Sequence, residues 1–171
     1  MRPVRRAAQP GARPPRRPAL EEGAPHVAGE STKPTRITYA AEATAHGGRN
    51  GWVTSDDHRI DLMLTPPRAL GGSGEGTTPE QLFAAGYSAC FHTALIIVGR
   101  RMGYDLTGST VRARVGIGPN ETDGYGLAVA LSISIPLLDQ ELAAEIVQRA
   151  HRICPYSNAT RGNIDVSLAL A

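Results

Sequence analysis

Residues 78–91 read Thr-Pro-Glu-Gln-Leu-Phe-Ala-Ala-Gly-Tyr-Ser-Ala-Cys-Phe, and this stretch decides the fold. Thr78 suits the N-cap of a helix, Pro79 suits the first helical position, and Gln81 suits the reciprocal capping position. The helix is expected to run to about Met102 and to end at Gly103. Few of its positions are polar, so it is predicted to be the central, buried helix of the domain.

Segments on both sides of this helix alternate apolar and polar residues, which is typical of β-strands. Asp139 is expected to cap a second helix over 139–153, where apolar residues follow a helical stripe. The predicted strands cover 36–43, 52–55, 60–64, 111–117, 127–135 and 164–170. The fourth and fifth of these are expected to form a hairpin. This order of elements predicts an α+β fold built on an antiparallel sheet.

The N-terminal residues differ from the rest in composition. Residues 1–34 contain seven of the 13 prolines, and residues 1–36 carry eight of the 18 basic side chains. We therefore predict a disordered Pro/Arg-rich extension over 1–35 and a single folded domain over 36–171. The remaining residues, 37–171, have ten basic and 13 acidic side chains, which argues against nucleic acid as a partner.

Bulk features also bear on the compartment. The sequence shows no run of about 18 apolar residues, so no membrane-spanning helix is expected. Two cysteines are too few for the disulfide framework of a small secreted domain. A cytoplasmic, reducing location is the expectation.

The two cysteines lie in different settings. Cys90 lies inside the predicted central helix, and it can attack a peroxide only as a thiolate. Burial disfavours a thiolate, so a cation or a helix N-terminus is needed nearby. Ser88 could cap a new helix start if the helix breaks near Gly86, and Arg49 in a glycine-rich loop could supply the cation.

Glu80 is the natural partner for Arg49, but its distance from Cys90 poses a problem. Ten residues along an unbroken helix span about 15 Å, so one guanidinium cannot contact both side chains. Either the helix kinks near Gly86, or Glu80 is only a first-turn carboxylate that interacts with the helix dipole.

Cys154 follows a helix end and precedes Pro155, which forces it out of helical geometry. A thiol there is better suited to condense with a sulfenic acid than to attack first. Two unrelated buried cysteines remain an alternative. His46, His58, His92 and His151 lack metal-ligand spacing, so no metal site is expected.

The stretch 39–51 ends in Gly-Gly-Arg-Asn-Gly, and the stretch 154–163 is Cys-Pro-Tyr-Ser-Asn-Ala-Thr-Arg-Gly-Asn. Together with the stretch 78–91 quoted above, these two motifs resemble the organic hydroperoxide resistance (Ohr) branch of the OsmC/Ohr superfamily. The likeness covers 36–171. It implies an OsmC/Ohr-like fold, an intertwined homodimer with two active sites at the subunit interface, and no metal, haem or flavin.

The resemblance further implies a thiol peroxidase for organic hydroperoxides, including those of fatty acids. Cys90 would become a sulfenic acid, Cys154 would close a disulfide with it, and Arg49 and Glu80 would activate the first sulfur. Dihydrolipoamide or a lipoylated protein would be the reductant. Two other functions remain open from the residues: a redox-sensing binding protein that uses the same disulfide as a switch, and an inert structural dimer.

Overall fold

The computed structural model describes residues 33–171, so the predicted extension over 1–35 lies almost entirely outside the described residues. Within the described part the chain forms an α+β fold, as predicted. The elements in chain order are β1 Ala43–His46, β2 Trp52–Ser55, β3 Asp61–Met63, α1 Pro79–Arg101, β4 Thr110–Pro119, β5 Tyr125–Ser134, α2 Gln140–Ile153, α3 Pro155–Thr160 and β6 Asp165–Leu170. Short 3-10 turns lie at Gly48–Asn50 and Arg68–Leu70.

Helix α1 begins and ends where its sequence signals predict. The Thr78 hydroxyl accepts the backbone N–H of Gln81 at 3.2 Å, and the Gln81 side chain accepts the N–H of Thr78 at 2.8 Å. Pro79 occupies the first turn, where its missing N–H costs no hydrogen bond. Gly103, with φ of +82°, follows the C-terminal end.

The helix buries one side only. Tyr87, Phe91, Leu95 and Val98 recur at helical spacing and are at most 5% exposed, whereas Ile96 and Ile97 on another face are each 37% exposed. By length and composition α1 could cross a membrane, so the prediction that the chain has no such segment is wrong. Core helices of soluble domains pass the same test, and α1 packs on β4, α2 and α3.

Strands β4, β5 and β6 form one sheet. The predicted hairpin is confirmed, because β4 and β5 pair antiparallel from Thr110 opposite Ser134 to Pro119 opposite Tyr125. Strand β6 pairs parallel to β5, which corrects the expectation of a purely antiparallel sheet. The reason is the connection: α2 and α3 cross over the sheet between the two strands and return the chain in the same direction.

Strands β1, β2 and β3 form a second, antiparallel sheet. The strand predicted over 36–43 is wrong for most of its length, since β1 begins only at Ala43. Ile37 and Tyr39 are 67% and 83% exposed. The alternating pattern marks a segment suited to strand geometry, but in the described chain no strand pairs with residues 37–41.

The core lies between the helices and the sheet formed by β4, β5 and β6. Asp139 caps α2 as predicted by accepting the N–H of Leu142 at 2.9 Å, and α2 contributes four residues to the core. The buried core residues are Tyr87, Phe91, Ala94, Leu95, Val98, Leu106, Val129, Leu131, Ile133, Ile135, Ala143, Ile146, Val147, Ala150 and Cys154. Among residues 33–171, none of the core comes from β1–β3, so the sheet formed by these three strands lies outside it.

Candidate functional site

Arg49 and Glu80 form a two-pronged ion pair. The guanidinium NH1 lies 2.9 Å from Glu80 Oε2, and NH2 lies 2.6 Å from Oε1. Arg49 is carried by the tight 3-10 turn between β1 and β2, and Glu80 lies in the first turn of α1. The turn requires glycine at Gly51, because a Cβ there would lie 1.7 Å from the carbonyl oxygen of His46. The loop and the helix start therefore hold the two charges together.

The pair keeps Glu80 ionised. Hydrogen bonding from Arg49 lowers the pKa of the Glu80 carboxyl, and this outweighs the partial burial that raises it. The Glu80 side chain is 13% exposed and the Arg49 side chain is 38% exposed. A planar guanidinium held on both carboxylate oxygens has a fixed orientation. The site therefore presents one oriented cation at the edge of the fold.

Cys90 and Cys154 lie against each other. Their sulfur atoms are 3.6 Å apart, and both thiols are free. Cys90 lies in the middle of α1 and is half-buried, whereas Cys154 lies at the junction of α2 and α3 and is completely buried. The two residues are 64 positions apart in sequence, so packing of α3 on α1 brings them together.

The surroundings of Cys90 favour the neutral thiol. Burial is the largest influence and raises the pKa of Cys90, and neighbouring Cys154 raises it further. The backbone N–H of Tyr156 donates to the Cys90 sulfur and lowers the pKa, but not enough to reverse the shift. Arg49 is not among the groups that shift the pKa of Cys90. A role for Arg49 at this sulfur therefore stays a prediction.

The predicted helix break near Gly86 is wrong. Helix α1 is continuous from Pro79 to Arg101, and the Ser88 hydroxyl donates to the carbonyl oxygen of Ala85 at 3.0 Å instead of capping a new helix. A Cβ at Gly86 would lie 3.0 Å from the Tyr156 hydroxyl oxygen. Glycine is present because Tyr156 packs directly on the helix there.

Sequence reasoning missed α3, which was interpreted as an irregular turn. Pro155 ends α2 and at the same time occupies the first position of α3, so a single residue serves both functions. Tyr156 from α3 joins Phe83 and Tyr87 of α1 in an aromatic cluster, with ring centroids 5.7–6.0 Å apart. A proline is a signal for a helix start as well as for a helix end, and Pro155 provides both.

The histidines have ordinary partners where the structure gives them. His92 Nε2 lies 3.0 Å from the hydroxyl oxygen of Ser109, and His151 Nδ1 lies 3.0 Å from that of Ser157. In the range 33–171 no group of three or more His, Cys, Asp or Glu side chains could hold a metal ion. An open cavity of about 490 Å³ lies beside Glu80, with Leu70, Ala84 and Ile117 among its apolar walls.

The chain matches a known family over most of its folded part. A family profile described as OsmC-like protein matches residues 72–169. The chain is 49% identical over 140 residues to the organic hydroperoxide resistance protein of Xanthomonas axonopodis pv. citri, covering 81% of this chain and 98% of the relative. It is 44% identical over 133 residues to the organic hydroperoxide resistance protein OhrB of Bacillus subtilis, covering 77% and 97%.

Solved structures agree with these relatives. The crystal structure of OhrB from Bacillus subtilis superposes with a TM-score of 0.73 at 43% identity, covering 79% of this chain and all of that chain. An organic hydroperoxide resistance protein from Elizabethkingia anophelis gives a TM-score of 0.77 at 46% identity, covering 80% and 99%. At such identity and coverage the likeness extends beyond the fold to the branch of the family.

Proposed function

The chain belongs to the Ohr branch of the OsmC-like family, and from that membership we propose that it is a Cys-based peroxidase that reduces organic hydroperoxides, including those of fatty acids, to alcohols. The Cys90 thiolate attacks one oxygen of the O–O bond. Its sulfur becomes a sulfenic acid, and the other oxygen leaves as an alkoxide that is protonated to the alcohol. The proposed role is in the response to oxidative stress.

The cycle then closes through Cys154. Its thiol attacks the sulfenic sulfur, an S–S bond forms, and the hydroxyl group leaves as water with the thiol proton. Dihydrolipoamide or a lipoylated protein supplies two electrons and two protons, is oxidised to its own disulfide, and regenerates both thiols. The proposal requires no metal, haem or flavin, and it places neither nucleic acid nor a membrane in the cycle.

One observation carries this proposal: the 3.6 Å separation of the two sulfurs. The half-buried Cys90 is reachable from solvent, whereas the fully buried Cys154 lies behind it. This difference in exposure suits a Cys90 that reacts with the substrate and a Cys154 that reacts only with Cys90. The aromatic cluster of Phe83, Tyr87 and Tyr156 gives these thiols apolar neighbours, which suits an organic substrate.

A thiolate at Cys90 still needs a cation, and we propose that it comes from a second copy of the chain. Glu80 holds Arg49 about 15 Å along α1 from Cys90, which is too far for one guanidinium to serve both. In a homodimer, the Arg49–Glu80 pair of one protomer would face Cys90 of its partner. Exposed apolar side chains support such a dimer, among them Ile37, Tyr39, Ile96 and Ile97.

The cytoplasm is the proposed location, because the cycle needs a steady supply of reductant. A steady-state assay tests the cycle, with cumene and linoleic hydroperoxides as substrates and dihydrolipoamide, thioredoxin and glutathione as competing reductants. We expect repeated turnover with dihydrolipoamide. A single oxidation that stops with every reductant would contradict the peroxidase and favour the redox sensor. No reaction of either cysteine with peroxide would favour the structural dimer.

Co-expression of two differently tagged variants tests the shared site. Cys90→Ser and Arg49→Ala homodimers are each expected to be inactive or strongly impaired. In the mixed dimer, the shared arrangement leaves one site with both its Cys90 and its Arg49 intact, so activity returns. If Arg49 served the Cys90 of its own chain, every site in the mixed dimer would carry one lesion and activity would stay low.

A further inference from the structure

Four polar side chains form a buried cluster behind the two sulfurs, which we call the buried polar cluster: Tyr87, His151, Ser157 and Thr160. The Tyr87 hydroxyl oxygen lies 3.0 Å from that of Ser157 and 3.2 Å from that of Thr160. His151 Nδ1 lies 3.0 Å from the Ser157 hydroxyl oxygen. Tyr87, Ser157 and Thr160 are at most 4% exposed, so water cannot readily replace these contacts.

The protons in this cluster can be counted. Thr160 donates its hydroxyl proton to a backbone carbonyl oxygen, that of Tyr156 at 2.9 Å or of Ser157 at 3.2 Å, and a carbonyl can only accept. Tyr87 must therefore donate to Thr160. Ser157 must in turn donate to Tyr87, because the one phenolic proton is already used. The contact of Ser157 with His151 then requires a proton on Nδ1.

The cluster ends on the residue that contacts the reactive sulfur. Tyr156 accepts the Thr160 hydroxyl at its carbonyl and donates its N–H to Cys90. Ser157 and Thr160 lie on α3, immediately after Cys154, while Tyr87 belongs to α1 and His151 to α2. The cluster thus links three helices at the point where the two sulfurs meet.

We propose that His151, protonated at Nδ1, is a positioning residue that holds α3 in the place where Cys154 and the N–H of Tyr156 lie against Cys90. The inference rests on the proposed peroxidase cycle, and it assigns His151 to the step that closes the disulfide. The buried face of α3 has no other donor for the Ser157 oxygen in the described contacts. No buried side-chain N or O atom within 33–171 lacks a partner, so losing this donor leaves an acceptor unsatisfied.

The surroundings of His151 agree with a neutral ring that carries its one proton on Nδ1. Burial lowers the pKa of His151, and the nearby charge of Arg161 lowers it further. Arg161 also donates to the backbone carbonyl oxygen of His151 at 2.9 Å, which fixes the end of α2. The Phe91 ring lies beside the imidazole, with ring centroids 6.4 Å apart. The hydrogen bond to Ser157 then selects the tautomer.

Nitrogen NMR of reduced protein with 15N-labelled histidine tests the tautomer directly. We expect His151 to show the pattern of a neutral ring protonated at Nδ1, with its signal assigned by its loss in His151→Asn. A ring protonated at Nε2 alone would overturn the proton count. This measurement does not depend on any peroxidase activity, so it stands even if the proposed function fails.

Kinetics of the first turnover test the positioning role with a matched pair of variants. His151→Asn retains a donor near the Nδ1 position, whereas His151→Leu has similar size and no donor. After one equivalent of cumene hydroperoxide, we expect His151→Leu to close the disulfide about tenfold more slowly than wild type, because the Ser157 oxygen loses its donor. His151→Asn should remain within about threefold of wild type. Trapping of the Cys90 sulfenic acid and mass spectrometry measure the rate.

Tyr87→Phe provides an independent test in case a His151 variant does not fold. Tyr87→Phe removes one hydroxyl from the middle of the buried polar cluster and keeps the ring, so it should slow disulfide closure as His151→Leu does. Thermal melting checks that each variant is folded. Equal slowing in His151→Leu and His151→Asn would contradict the donor role, and unchanged closure in both His151→Leu and Tyr87→Phe would contradict positioning. If wild-type protein formed no sulfenic acid at all, the proposed function would be the part that failed.

Discussion

The two functional pairs, each with one member on α1, differ in almost every physical respect. At the start of the helix, Glu80 holds an exposed Arg49 in a charged, oriented contact. In the middle of the helix, Cys90 lies against the buried Cys154, and burial raises its pKa. The cation that could make a thiolate is thus held away from the sulfur that needs one. This separation is the reason for the proposal that each active site combines Cys90 of one protomer with Arg49 of its partner.

The largest effect should come from the sulfur pair itself. Cys90→Ser removes the attacking atom, so peroxidase turnover should fall to the uncatalysed background. Cys154→Ser should still permit one oxidation of Cys90, with a trappable sulfenic acid and no disulfide. Stopped-flow oxidation and mass spectrometry of the product distinguish the two variants. Full activity in Cys90→Ser would end the proposed cycle.

The ion pair should have the next largest effect, and only through the partner protomer. Arg49→Ala should raise the pKa of Cys90 in the dimer and slow peroxide attack by about a hundredfold, as expected when an oriented cation is lost from a reacting centre. The pH dependence of Cys90 alkylation gives the pKa. Arg59→Ala is the control, because Arg59 forms an exposed ion pair with Asp57. An unchanged pKa in Arg49→Ala would remove Arg49 from the mechanism.

Local signals were enough to predict most of the fold. The capping box of α1 acts over three residues, the Asp139 cap of α2 acts over three, and the β4–β5 hairpin follows from strict alternation. Each of these signals is contained within one element. Pairing of β6 parallel to β5 was missed because it depends on how two helices cross the sheet.

The incorrect predictions at the candidate site share one physical cause. Gly86 costs about 1 kcal/mol relative to alanine inside a helix, so local propensity predicts a break there. The structure instead uses its missing side chain to admit Tyr156, which lies seventy residues later. A contact between residues so far apart in sequence produces no local pattern from which it could be predicted. The local settings of Cys90 and Cys154 indicate an attacking and a resolving thiol, but only the family resemblance implies a disulfide between them.

The pH dependence of stability should separate the ion pair from the sulfur pair. The pKa of Glu80 is lowered in the fold by its hydrogen bonds from Arg49, so its contribution is fully present above the ordinary carboxyl pKa of about 4.3. That contribution is lost as pH falls through the lowered value. The melting-temperature difference between wild type and Glu80→Gln should therefore shrink from pH 7 to pH 3.

An exposed ion pair provides the control for that measurement. Glu145→Gln removes a surface contact with Arg149, in which both side chains are about half exposed. Exposed pairs one helical turn apart contribute little to stability, so its melting temperature should differ from wild type less than that of Glu80→Gln at neutral pH. A Glu80→Gln difference that stays constant from pH 7 to pH 3 would contradict the ionised pair.

The smallest change in stability should come from Gly86→Ala. This substitution alters the contact of the helix with Tyr156, next to the sulfur pair, and leaves the ion pair unchanged. Alanine gains about 1 kcal/mol in helix propensity. Its Cβ would approach the Tyr156 hydroxyl oxygen at 3.0 Å, and that half-exposed ring can move by a few tenths of an ångström, so the free energy of unfolding should change by less than about 1 kcal/mol. Gly99→Ala on the same helix is the matched control. Its Cβ would lie 2.6 Å from two carbons of the buried Leu106, so it should destabilise by about 1–3 kcal/mol.

Because Tyr156 also donates to the Cys90 sulfur, Gly86→Ala should slow disulfide closure while leaving the stability contribution of the Arg49–Glu80 pair unchanged. Equal loss of stability in both glycine variants, measured by denaturant unfolding, would show that Tyr156 is as rigidly packed as the core.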